Sequence, residues 1–332
     1  MKKKFLLFAD WNSQSGMGHL SRCLSLAQAL NKNGVALIIV TDNPIPLNFL
    51  ECRNIKSKIY NWYKVESLFK IAKKDTACIV DSYLAKPETY SYLYQNTKLL
   101  VSIDDNKRID YPGGILINSN IYAKCLGYQQ KNEIHLLLGS LYIPLKKVFW
   151  LRKNKVIRNK VNSILITTGG NDDENCIPPI LHLLSEKFPR INKYILVTRN
   201  FSNLTEINKL SDQKTYVFQD APAHKIRELM YQSDLAISGG GQTIYELANV
   251  GLPTIAIQQA NNQKRNIQSW KKLGFIEYVG KASNPKTLNN INSAIIKLNS
   301  KRLRQQRCRI GRRLIDGRGA ERVAEIIHEK TN

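Results

Sequence analysis

Aliphatic and β-branched residues gather in short runs along the first half of the chain: "KFLLFAD", "VALIIVTD", "ACIVDSY", "LLVSIDD", "GILINSN" and "IHLLLG". Each run is nearly continuous rather than alternating, the pattern of strands buried on both faces of a parallel sheet. Helical spacing lies between several of them. The first case is Leu20, Cys23, Leu24, Ala27 and Leu30, an apolar stripe at intervals of three and four. The basic stretch "LKKVFWLRKNKVIRNKV" (145–161) has no strand pattern, and the domain boundary is placed near its end. The alternation then resumes with "SILITTGG", "KYILVTR", "TYVFQD", "DLAISGGG", "PTIAIQQ" and "IEYVG", with "HKIRELMYQS" and "TIYELANVG" as helices between them. Residues 301–330 read as one or two helices broken at "DGRG". The expectation is an α/β chain of two doubly wound parallel-sheet domains, 1–158 and 159–332, with room for the last helices to pack back on the first. Such domains would face a ligand cleft at the carboxyl ends of their strands.

Composition narrows the class. At 332 residues and 43% apolar, the chain is globular and long enough for two cores. Its apolar runs are too short to span a bilayer, so no membrane insertion is expected. The opening "MKKKFLLFADWN" begins like a signal peptide, but Asp10 and Asn12 end the apolar stretch without a cleavage pattern. It reads as a first strand of a cytoplasmic protein. Six cysteines are scattered with no CxxC pair, which argues against disulfides and a zinc site. The net charge of +24 points to an anionic partner: nucleic acid, a membrane surface or phosphorylated small molecules. The lysines are dispersed, however, and only "KRLRQQRCRIGRR" (301–313) is dense; Leu303, Cys308, Ile310 and Leu314 suit a helix with a solvated basic face. Without aromatic or motif context, nucleic acid is not expected.

Four stretches could carry chemistry. Asp10 ends the first strand, and "WNSQSGMGHLSR" follows, with Gly16 and Gly18 allowing a tight turn, then His19 and Arg22. A helix starting at Gly18 or His19 would aim free N–H groups at a phosphate and lower the pKa of His19, keeping its imidazole neutral. The P-loop ending GK[ST] is missing, and spacing alone leaves His19 as either a local cap or a catalyst. In "ISGGGQTIYELANVGLPTIAI", Gly239, Gly240 and Gly241 precede a helix expected to begin near Gln242 or Thr243, another phosphate-binding geometry. Glu246 is either a capping-box partner of Thr243 or a carboxylate for a ribose diol. Asn262 and Gln263 follow the next strand. "TTGG" brings Gly169 and Gly170 to the end of the second domain's first strand, where they either touch a diphosphate or only make a turn. Tyr83, in "DSY", stands at another strand end. The other histidines lack ligand spacing, so neither a metal nor a cofactor is expected.

In their order along the chain these motifs resemble the UDP-2,4-diacetamido-2,4,6-trideoxy-β-L-altropyranose hydrolases of pseudaminic acid biosynthesis, themselves similar to GT-B glycosyltransferases. The resemblance runs through "ADWNSQSGMGHLSRC", "IVDSYL", "SIDD", "ILINSNIYAK", "TTGGNDDEN", "ISGGGQTIYELANVGLPTIAI", "NNQ" and "IDGRGAERV". It implies a GT-B-like fold and a metal-independent reaction in which water attacks the anomeric carbon and UDP leaves with inversion. It assigns water activation to His19, gives Tyr83, Asn262 and Asp10 catalytic places, and sets UDP against Gly239–Thr243 and Glu246 of the second domain. Phe8 and Trp11 depart from the family pattern, which has Arg and a small residue there, and are expected to reshape the sugar pocket. The alternative the resemblance leaves is a GT-B glycosyltransferase that moves the sugar from UDP to an acceptor in surface-glycan synthesis. A monomer is slightly favoured.

Overall fold

The computed structural model describes residues 4–11, 18–31, 36–45, 55–170, 172–199 and 201–332. They fall into two compact units: residues 1–147 with 317–332, and residues 148–316.

Unit 1 runs β1 (Lys4–Ala9), α1 (Gly18–Leu30), β2 (Ala36–Thr41), β3 (Ile55–Ile59), α2 (Val65–Leu68), β4 (Thr76–Asp81), α3 (Pro87–Asn96), β5 (Leu99–Ile103), β6 (Gly114–Asn118) and β7 (Ile134–Leu138). The strands form one seven-stranded sheet in the order β3-β2-β1-β4-β5-β6-β7, every pair parallel. The central strand β1 buries Phe5, Leu6, Leu7 and Phe8, as its unbroken apolar run requires. All five stripe residues of α1 are buried. The edge strand β3, "IKSKI", has no counterpart in the sequence reading. Only Ile55 is buried in it, so its residues carry no hydrophobic signature, and its lysines discourage pairing with another edge.

Unit 2 runs β8 (Ser163–Thr167), α4 (Ile177–Lys187), β9 (Asn192–Val197), α5 (Leu204–Leu210), β10 (Thr215–Gln219), α6 (Ala223–Gln232), β11 (Leu235–Gly239), α7 (Thr243–Val250), β12 (Thr254–Gln258), α8 (Lys264–Lys272), β13 (Ile276–Lys281), α9 (Thr287–Leu298) and α10 (Lys301–Leu314). Its sheet has six strands in the order β10-β9-β8-β11-β12-β13, again parallel throughout. In both units the order reverses beside the first strand of the unit, between β1 and β4 and between β8 and β11. Loops leaving such a neighbouring pair diverge to opposite faces and open a crevice at their carboxyl ends.

The unit boundary lies earlier than the 158/159 position expected from the sequence. The Lys155 ammonium donates to the carbonyls of Met230, Tyr231 and Ser233, and Arg158 to the carbonyl of Gln232 and to Asp234, so this basic stretch is bound into unit 2. The chain also returns. Helix α11 (Gly319–Lys330) belongs to unit 1, where Lys98 donates to the Thr331 carbonyl and His328 meets the Phe5 ring edge-on. Gly319 allows the approach, because a Cβ there would lie 2.2 Å from the Ile143 carbonyl oxygen.

The "solvated basic face" expected of residues 301–313 is only part of what α10 presents. Arg304 is fully buried; it donates to the carbonyls of Leu298, Arg158, Asn159 and Asn299. It thereby satisfies the end of α9, whose last carbonyls have no intrahelical partner. Arg304→Ala should lower the unfolding free energy by about 2–4 kcal/mol through unpaired carbonyls and a cavity, read as a lower urea midpoint. An unchanged midpoint would show that water replaces the guanidinium without loss.

Candidate active site

The switch point of unit 1 gathers charge. Helix α1 leaves β1 and presents His19 and Arg22 one turn apart, both buried. Asp81 is the last residue of β4, and Asp105 follows β5 closely. The Arg22 guanidinium grips both carboxylates: Nε and Nη2 donate to the two oxygens of Asp81 at 2.8 Å each, and Nη1 to Asp105 at 2.7 and 2.9 Å. This fork geometry is the strong form of an ion pair. His19 Nδ1 lies 2.5 Å from Asp81 Oδ1. Arg22 Nη2 also lies 3.2 Å from Nδ1. Since a carboxylate only accepts, Nδ1 carries the hydrogen, and in the neutral ring the lone pair is then on Nε2. Among the described residues no hydrogen bond reaches Nε2.

The helix terminus does not lower the His19 pKa as expected from the sequence. Burial is the largest influence and does push it down. The Asp81 carboxylate, by charge and hydrogen bond, more than offsets it; Asp10 adds to the rise and Arg22 opposes it, so the net shift is upward from 6.5. Burial would raise Asp105, but Arg22, with bonds from Tyr83 and Asn120, holds it well below the usual carboxylate range.

Tyr83 joins the cluster from the turn after β4. Its hydroxyl donates to Asp105 Oδ2 at 2.5 Å, and its ring meets the His19 ring edge-on at 4.5 Å. Burial and the Asp105 charge push the phenol well up, so it stays protonated. It is nonetheless 46% exposed, which leaves ring surface for a ligand. Asp10, placed among catalytic residues by the resemblance, is occupied with the backbone. It accepts from the Ser82 and Tyr63 hydroxyls at 2.6 and 3.0 Å and from the N–H groups of Tyr83 and Leu84 at 2.6 and 3.3 Å. It holds the turn that carries Tyr83. Asp81, Asp105, Ser82 and Asn120 are the members that residue-by-residue reading passed over; "SIDD" at a strand end was the available signal for Asp105.

Phe8 does not reshape a pocket. It points into the core, fully buried against Trp62 at 5.2 Å, where an apolar ring suits its neighbours. Trp11 donates its indole N–H to the Pro44 carbonyl at 2.8 Å. Gly16 lies outside the described residues. Gly18 opens α1, with clear space where a Cβ would stand.

The switch point of unit 2 is built from amides. Gln263 accepts from the N–H groups of Gly240 and Gln259 at 3.1 and 3.0 Å. Asn266 donates to the Gly240 carbonyl at 2.8 Å and accepts from the Tyr245 hydroxyl at 2.9 Å. Two of the three glycines answer to packing: a Cβ on Gly239 would sit 3.0 Å from the Thr168 carbonyl oxygen, and one on Gly240 2.3 Å from Ile267. Gly241, Gly169 and Gly170 face open space. Helix α7 begins at Thr243 with Gln242 as its N-cap residue, whose side chain makes no capping bond. Thr243 is thus the first helical residue rather than the N-cap, and Glu246 lies half-buried in the first turn. Asn262 is exposed in a 3-10 turn, Asn261–Gln263. Among the described residues no group of three or more His, Cys, Asp or Glu side chains is arranged to hold a metal ion, and no helix is long and apolar enough to cross a membrane.

Residues 160–314 match the glycosyltransferase family 28 C-terminal domain. The chain is 24% identical to an uncharacterized protein of Methanocaldococcus jannaschii over 81% of its own length, spanning 58% of that protein. It is 24% identical to the spore coat polysaccharide biosynthesis protein SpsG of Bacillus subtilis over 97% of both chains. It is also 24% identical to the UDP-2,4-diacetamido-2,4,6-trideoxy-β-L-altropyranose hydrolase of Campylobacter jejuni, over 83% of this chain and 99% of that one. Among solved structures it is similar to the glycotransferase of kitacinnamycin, with a TM-score of 0.71 at 14% identity over 100% of both chains. MurG of Acinetobacter baumannii gives a TM-score of 0.65 at 13% identity, over 99% of this chain and 100% of that one. With two parallel, doubly wound sheets each reversing beside its first strand, the chain has the GT-B-like fold of these proteins.

Proposed function

We propose that this chain is an enzyme acting on a UDP-sugar, and that it transfers the glycosyl group to an acceptor hydroxyl with His19 as the base. The observation that carries this is the buried charge balance of unit 1. Two carboxylates, Asp81 and Asp105, face one guanidinium, Arg22. One negative charge stays uncompensated until His19 takes up a proton. A cluster with that deficit favours an imidazole accepting a proton on Nε2, which is the task of a general base. In the proposed step Nε2 removes the acceptor hydroxyl proton. The oxygen forms its bond to the anomeric carbon, and the bond from that carbon to the diphosphate oxygen breaks with its electron pair leaving on UDP. Asp81 orients the ring, Tyr83 limits its movement, and Asp10 positions the Tyr83 turn.

The nucleotide is assigned to unit 2. The open space at Gly241, Gly169 and Gly170 and the start of α7 beside it present backbone N–H groups to the departing diphosphate. Glu246 is assigned the ribose diol, and Asn262 and Gln242 the exposed rim. The family 28 match over this unit and the glycosyltransferases of similar fold support the transfer reading; the Bacillus relative's name supports a surface polysaccharide as the product's destination.

A second reading, hydrolysis in pseudaminic acid biosynthesis, is favoured by the likeness to the Campylobacter hydrolase across 99% of its length. Water then replaces the acceptor at the same base.

Three outcomes test these assignments. His19→Ala should lower kcat by about 10²–10⁴-fold while leaving UDP affinity, measured by calorimetry, close to that of the parent; unchanged turnover removes His19 from the mechanism. The profile of kcat/KM should rise with pH through an apparent pKa above 6.5, because only the neutral imidazole can take a proton. Asp81→Asn removes the raising influence, so the acid limb should move to lower pH as the plateau falls; an unmoved limb assigns the titration elsewhere. UDP release from a panel of UDP-sugars should depend on added acceptor. Equal release in water alone, with the altrose derivative preferred, would replace transfer by hydrolysis.

A further inference from the structure

The two most basic stretches of unit 2, far apart in sequence, lie side by side. Arg152 donates to the Arg312 carbonyl at 2.6 Å, Arg312 to the Lys153 carbonyl at 2.9 Å, Arg304 to the carbonyls of Arg158 and Asn159, and Lys301 to the Asn159 side chain at 2.9 Å. The segment 152–159 thus runs along α10 from its C-terminal to its N-terminal end. Neither 148–160 nor 301–315 contains an acidic residue.

Part of this charge is absorbed internally. Arg158 pairs with Asp234 and Arg307 with Glu277, Arg304 is buried among carbonyls, and the Lys155 ammonium sits at the end of α6. That leaves Arg152, Lys153, Lys160, Lys301, Arg302, Arg309 and Arg313, all exposed and, among the described residues, without a carboxylate partner. Arg302, Arg309 and Arg313 stand seven and four residues apart, on one face of α10. The same segment projects Leu151 and Val156 into solvent, at 83% and 70% exposure.

We propose that the surface formed by α10 and the adjoining stretch 151–160 docks on an anionic lipid bilayer, the guanidinium and ammonium groups meeting headgroup phosphates while Leu151 and Val156, from the adjoining stretch, enter the boundary of the acyl region. Clustered Lys and Arg with a few aliphatic side chains is the chemistry of reversible interfacial binding. A polynucleotide would call for aromatic stacking surfaces, and the large side chains the segment exposes are aliphatic. The proposal stands apart from the catalytic assignment of unit 1.

The test is co-sedimentation of the full chain with vesicles at physiological salt. Binding is expected to vesicles of phosphatidylglycerol and phosphatidylcholine and not to phosphatidylcholine alone. Arg302→Glu, Arg309→Glu and Arg313→Glu combined should weaken it by at least about tenfold. The same charge change at exposed lysines of unit 1 (Lys56→Glu, Lys58→Glu, Lys70→Glu) should leave it nearly intact. Leu151→Ser with Val156→Ser should weaken vesicle binding several-fold and leave retention on a heparin column unchanged. The proposal is overturned if no vesicles are bound, or if the unit 1 control loses as much as the α10 variant. It is equally overturned if the Leu151/Val156 variant binds vesicles like the parent, or if duplex DNA at the same salt displaces the vesicles and is bound more tightly.

Discussion

A guanidinium cannot shed its proton at any ordinary pH, so once it is buried its charge has to be met by acceptors held around it. Around Arg22 these are carboxylates, and the way they are held organises unit 1. One fork holds Asp81 at the end of β4, the other holds Asp105 beyond β5, and the arginine itself rides on the helix that follows β1. The ends of β4 and β5 are thereby held against α1 at fixed spacing. The His19 ring finds its partner already oriented, and Tyr83 and Asn120 are drawn to the remaining lone pairs of Asp105.

Unit 2 solves the equivalent position with neutral groups. Gln263 and Asn266 hold the glycine loop through its backbone, and Asp172 accepts from the N–H groups of Cys176 and Ile177 where α4 begins. The start of α7 follows Gly241, which has open space where a Cβ would stand. One switch point therefore concentrates buried charge, whereas the other presents amides and backbone dipoles, on the same strand order.

What was legible in the sequence follows from burial. Strands in the sheet interior declare themselves as apolar runs, so every strand except β3 stands out; β3 is polar because Lys56, Ser57, Lys58 and Ile59, on both its faces, are exposed at the sheet edge. His19, Arg22 and Tyr83 were legible as side chains at strand ends and a helix start. Asp81 and Asp105 were not singled out, since a carboxylate after a strand is common and becomes informative only when two strand ends meet one arginine from a helix. The glycines misled in part. A triple glycine reads as a phosphate loop, yet Gly239 and Gly240 are required by the Thr168 carbonyl and Ile267, contacts that no local pattern encodes. The boundary failed for the same reason, because the carbonyls that bind Lys155 lie far along the chain.

The return of α11 gives the two units unequal histories during synthesis. Residues 148–316 are continuous, so unit 2 can close as soon as α10 has left the ribosome. Unit 1 begins first but lacks the helix that covers Phe5 and reaches Lys98 until residues 317–332 emerge. Domains generally fold as units while the chain grows. Here the earlier-made half must wait, with the α1 side of its sheet incompletely covered, while the later-made half is finished. The charged grip of Arg22, made entirely from residues before 106, is available throughout that interval to hold the strand ends together.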